Sequence, residues 1–187
     1  IFVNAGFEKL PENLLKPDME ALNQIQFELP DLFGGIRLDG ATFQLGFSYL
    51  KTYRPRILYL AFDETDDLAH GAKYDLYLNT THYTDGFLQQ LWEWIQADPE
   101  YRNKTTLLVT CDHGRGEGKS GWHDHGTNTP HSGETWFAVM GPDTPATGES
   151  KSGQYYNNQF AATLAALMGL SYTADKPVGP VLPVLGN

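Results

Sequence analysis

Cysteine is almost absent. Cys111 is the one cysteine in 187 residues, so the chain closes no internal disulfide and offers no CxxC pair for a thiolate zinc site. Any metal it binds must rest on histidine and carboxylate. Basic residues are also scarce, 13 against 23 acidic, for a formal charge of -10. That balance opposes binding to a nucleic acid backbone but leaves room for a small anionic substrate held at a cation. Long hydrophobic runs are missing too. The longest, Ile57 to Phe62, is far short of the roughly 20 residues that cross a bilayer, and no membrane span is expected. Ile1 to Gly6 has neither an initiator methionine nor a basic-then-apolar leader, which suggests a piece of a longer protein.

The remaining composition, 41% hydrophobic and 19% charged, is that of a globular chain with a core and excludes fibrous or disordered classes. Residues 1 to 54 read as irregular and helical cover. Pro11, Pro17, Pro30 and Gly34-Gly35 break the chain, leaving a short helix near Met19 to Gln26 and a longer one from Ala41 to Tyr53, stopped before Pro55. Residues 55 to 187 read as a core of alternating strands and helices. Ile57–Phe62, Thr105–Thr110 and Thr135–Met140 are short apolar strands. Tyr74 to Ala97 is the clearest helix, with Asp85 on its apolar face, and Tyr155 to Met168 is the last, with Gly169 at its left-handed cap. Strands apolar on both faces alternating with helices predict an α/β fold, a largely parallel sheet covered on both sides. Ligands in such folds gather at the carboxyl ends of the strands.

Polar clusters follow the first two strands directly. In Asp63-Glu-Thr-Asp66-Asp67-Leu-Ala-His70, a carboxylate and an imidazole four residues apart share a face if the segment turns helically. The blander reading is a helix start whose acids complement the dipole. Asp112-His113-Gly114 sets two ligand types at a strand end, with glycine allowing a sharp turn, or is simply a capped turn. Trp122-His123-Asp124-His125-Gly126 and His131 complete the set, so that four of the six histidines fall between 113 and 131. Histidine gathered in a glycine-rich loop is hard to explain as core packing, since neutral imidazole needs partners when buried and gains little when exposed, and a solvated polar loop is the blander reading. Mixed His and Asp donors suit zinc or manganese better than calcium, and two ions sharing them would clamp an attacking and a leaving oxygen.

The order of these motifs, Asp66-x-x-x-His70, then Asp112-His113-Gly114, then His125-Gly126 ahead of Phe137-Ala-Val-Met-Gly141-Pro142, resembles the alkaline phosphatase superfamily. That superfamily includes nucleotide pyrophosphatases/phosphodiesterases, sulfatases and cofactor-independent phosphoglycerate mutases. The likeness covers about residues 55 to 170 and implies an alkaline-phosphatase-like fold, with residues 55–187 the carboxyl-terminal part of a larger catalytic domain. It implies that Asp66, His70 and His125 hold one divalent ion and Asp112 and His113 another, zinc first and manganese second. Asp67 and His123 are the rivals of Asp66 and His125, and His125 is preferred because the family's ligand precedes glycine. Arg115 and Lys119 are candidates for contact with a substrate anion.

The resemblance also implies an upstream aspartate and a Ser or Thr nucleophile at a helix start, for which Ile1 to Tyr53 has no counterpart. The expected activity is metal-dependent hydrolysis of phosphate esters or diesters, with the nucleophile upstream of this chain. A sulfatase or phosphomutase on the same scaffold, and a non-catalytic metal-binding domain, are the alternatives. By resemblance alone, the expected location is extracytoplasmic.

Overall fold

The computed structural model of the chain describes residues 2–4 and 6–184. Its helices are α1 (Pro17–Ile25), α2 (Asp39–Tyr53), α3 (Glu64–His70), α4 (Tyr74–Ala97), α5 (Gly118–Gly121) and α6 (Phe160–Leu167), and its strands are β1 (Leu107–Thr110) and β2 (Phe137–Met140). The chain divides into two compact units, Ile1–Leu91 with Trp122–Asp124, and Trp92–Gly121 with His125–Asn187.

In the first unit α2 is the central element, apolar on two faces and buried on both. One face places Leu45 against Leu10 and Met19, with Tyr49 and Tyr53 beside them. The other places Phe43 in stacking contact with Phe47 and with Phe87 of α4, the latter at 4.5 Å between ring centroids. Phe87 also meets Phe62. Gly46 lets the extended segment after α2 approach closely, since a Cβ there would collide with Leu60. Arg54 takes a left-handed backbone (φ 51) and Pro55 prevents continuation, so α2 stops at Tyr53.

In the second unit β1 and β2 pair antiparallel, from Leu107 opposite Met140 to Thr110 opposite Phe137. The Phe137 ring meets Tyr155 and Phe160 edge-on. A 3-10 turn, Asn157–Gln159, leads into α6. Gln159 is buried with its polar ends occupied: Oε1 accepts the Tyr156 N–H and Nε2 donates to the Pro180 carbonyl. Thr163 donates its hydroxyl to the Gln159 carbonyl and accepts the Leu182 N–H, which ties the closing segment to α6.

Several expectations are corrected. Among the described residues the sheet has two strands, paired antiparallel, so the largely parallel sheet expected is unconfirmed. Ile57–Phe62 is extended but assigned to no strand. Apolar periodicity marks a segment suited to a sheet, but a strand exists only where a neighbour supplies ladder hydrogen bonds. The last helix is shorter than Tyr155 to Met168 because its first turn is 3-10, although Gly169 does adopt the left-handed conformation (φ 70). Asp85 is exposed, as are Tyr74, Leu76 and Leu78 on α4, while Leu91 and Ile95 are buried. The short α5 was not anticipated.

Candidate metal centre

The first unit presents Asp66 and His70 on α3. The segment does turn helically, and the i,i+4 spacing brings His70 Nε2 to 3.3 Å from Asp66 Oδ2. That separation lets one imidazole and one carboxylate address a common ion. Asp63, Asp66 and Asp67 crowd negative charge into a single turn. The Asp67 carboxyl is pushed above its ordinary range, first by burial and then by the charges of Asp63 and Asp66, with His70 acting in the opposite direction. A divalent cation would relieve that repulsion. His123 packs edge-on against Trp122 (centroids 6.0 Å), and Trp122 in turn meets Tyr74 and Tyr77. His123 is therefore engaged with an aromatic cluster.

The second unit presents Asp112, His113 and His125. The chain leaves β1 at Thr110, whose hydroxyl donates to the Trp136 carbonyl and so closes the strand pair. Asp112 follows with its side chain 88% exposed, yet its backbone is fixed: Asn157 donates to the Asp112 carbonyl at 2.7 Å, and Thr135 donates to Asn157. His113 Nδ1 lies 2.9 Å from the Gly114 carbonyl. A carbonyl only accepts, so Nδ1 is the donor of this contact, which orients the ring with Nε2 3.7 Å from Asp112 Oδ1. The His125 ring stacks on His113 with centroids 3.8 Å apart and planes 17° from parallel. The donor types in both units, imidazole and carboxylate without thiolate, fit a borderline divalent ion such as zinc or manganese.

Gly114 is required by close approach. A Cβ there would meet the Glu134 carbonyl and, at 2.5 Å, the His131 carbonyl, while its own N–H donates to the Ser132 carbonyl at 2.8 Å. This contact folds the 131–134 turn against the segment that follows His113. His131 sits in a left-handed conformation (φ 67), with Nδ1 2.8 Å from Glu134 and Nε2 3.6 Å from Glu117. Its pKa is raised, first by the hydrogen bond to Glu134 and then by the charge of Glu117. With each nitrogen turned to a different acid, His131 ties the loop together. Arg115 is half-buried and Lys119 is exposed on α5.

Sequence reasoning missed Asn157, which contacts Asp112 across 45 positions, and no local pattern announces such a partner. It also passed over Asp39, which is buried at the start of α2.

A family model described as Sulfatase matches residues 16–170, and the chain belongs to the Sulfatase family, a member of the alkaline phosphatase superfamily. No curated protein and no solved structure gives a significant match. Membership brings the alkaline-phosphatase-like α/β fold, an enzyme of hydrolase type, metal dependence and a small ester as the substrate class. Among the described residues no helix is long and apolar enough to cross a membrane.

Proposed function

We propose that the chain supplies the metal-binding part of a phosphate ester or diester hydrolase, with Asp66, His70 and His125 as ligands of one divalent ion and Asp112 and His113 of a second. The observation that carries this reading is the anchoring of His113 beside Asp112 just past a strand end: Nδ1 donates to the Gly114 carbonyl, and Nε2 stands 3.7 Å from Asp112 Oδ1. The Asp66–His70 pair on α3 supports it independently. Zinc is the first choice of metal and manganese the second. What such ions supply when bound is neutralisation of charge on the phosphoryl or sulfuryl oxygens. The protein's own part is to orient the imidazoles, to keep Asp112 in place through Asn157, and to present Arg115 and Lys119 to the anion. No residue of this chain is assigned as nucleophile. We place that hydroxyl in a preceding segment of a larger catalytic domain and the protein in an extracytoplasmic compartment.

A second reading, hydrolysis of a sulfate ester, is favoured by the family matched. Comparing turnover of p-nitrophenyl phosphate, bis(p-nitrophenyl) phosphate and p-nitrophenyl sulfate by the complete protein, with zinc and with manganese, decides between them. Turnover of either phosphate ester above the sulfate supports the first reading, and preference for the sulfate supports the second. No turnover of any ester, with metal bound, would replace both with a non-catalytic metal-binding role.

A further inference from the structure

α3 has seven residues, too few to hold its own orientation in water, and its N-cap residue Asp63 makes no side-chain capping bond. α2 likewise has no side-chain cap at Leu38. Each helix takes its cap from the other. Asp39 Oδ1 accepts the N–H of Asp63 at 2.8 Å and that of Glu64 at 3.5 Å, the opening amides of α3. Glu64 Oε2 accepts the N–H of Asp39 at 2.7 Å, the opening amide of α2. Asp39 is only 1% exposed. A buried carboxylate is costly unless hydrogen bonds compensate it. Here it meets two orphan amides at the positive end of a helix whose next residues include Asp66 and His70. Leu68 and Ala69 are buried on the inner side of the same helix. The cap fixes the height of α3 and the apolar pair fixes its rotation.

We infer that Asp39 is a positioning residue for the metal site: by capping α3 from a distance, it sets where the Asp66 carboxylate and the His70 imidazole stand. The inference rests on the proposed ligand roles of Asp66 and His70 and adds a residue that is not itself a ligand. Its cause is geometric, and the raised pKa of Asp39, due first to burial, agrees with a carboxylate kept out of water.

The test is a cobalt(II) titration of the full chain, followed by visible absorption, for the wild type and for Asp66→Ala, Asp39→Ala and Asp39→Asn. Asp66→Ala should abolish one class of site. Asp39→Ala should weaken that same class by about 10- to 100-fold and change its absorption intensity, as loss of an outer-shell partner does. Asp39→Asn keeps an amide oxygen for both N–H groups and should return affinity to within about threefold of wild type, as among good capping residues. Should Asp39→Ala fail to fold, Asp39→Glu, which keeps the charge but misplaces it, is expected to show the weakened binding and altered spectrum instead. Normal cobalt binding by Asp39→Ala or by Asp39→Glu, with Asp66→Ala defective, would overturn the positioning role and leave the ligand assignment standing. Normal binding by Asp66→Ala would overturn the assignment of Asp66 and the inference with it.

Discussion

Replacing Asp39 by asparagine removes one buried negative charge while preserving its hydrogen-bond acceptor, which turns the pH dependence of stability into a measurement of that charge. In the folded chain the Asp39 carboxyl is raised from 3.8 to about 6, first by burial, with the charges of Glu64 and Asp63 adding and the two backbone N–H bonds opposing. The folded state thus keeps a proton that the unfolded state releases at lower pH. Stability from this group is fully present below about pH 4 and is lost as pH rises through about 6. The difference between the two values corresponds to about 3 kcal/mol. Urea unfolding of the metal-free chain, wild type against Asp39→Asn at several pH values from about 4 to 7.5, isolates this term because other titrations cancel in the difference. Asp39→Asn should gain on the wild type by about 3 kcal/mol across the window. A flat difference would refute the claim that Asp39 is desolvated, and a difference falling with pH would mean that the ionised form is the one the fold favours.

Gly114→Ala should cost about 1–3 kcal/mol, because the added methyl meets two backbone carbonyls that cannot swing aside. Gly133→Ala, in open space, should stay within about 0.5 kcal/mol of wild type; thermal unfolding of the pair checks both. His131 should titrate above the ordinary 6.5 in an NMR pH series and fall toward it in Glu134→Gln. The tie it makes is present below the unfolded-state value and is lost as pH rises through the raised one, so a His131 that titrates at or below 6.5 removes it. Elemental analysis of the full-length protein should show less bound metal in Asp66→Ala and in His125→Ala than in wild type; unchanged content in both would sink the ligand assignment.

The helices were the legible part of the chain. Pro55 and the apolar spacing of Ala41 to Tyr53 located the end of α2, and Tyr74 to Ala97 is helical over the range its periodicity marks. Burial was less legible, since the same periodicity put Asp85 on a covered face when it is exposed. An apolar stripe records what a helix can bury, and neighbouring elements decide what it does bury. Strand direction was not legible for a related reason: alternation and apolarity describe one strand, whereas parallel or antiparallel pairing belongs to two. Of the site, the donor types and their clusters were plain in the residues. The parts that place them were not, because Asp39 caps amides 24 and 25 positions away and Asn157 holds a carbonyl 45 positions away. An aspartate at a helix start looks like that helix's own cap.

The ladder between Thr110 and Phe137 closes residues 111–136 into a loop with a sealed neck. Because the ends are pinned by strand pairing, the entropic cost of a longer loop grows only logarithmically, by roughly 0.6 kcal/mol for each doubling of length. Insertions around α5, whose residues 118–120 are exposed, are therefore thermodynamically mild so long as Gly114 still reaches Ser132. The neck separates two kinds of change: the rim can lengthen and diversify, while Asp112 and His113, two and three residues beyond the last rung, stay where the ladder leaves them.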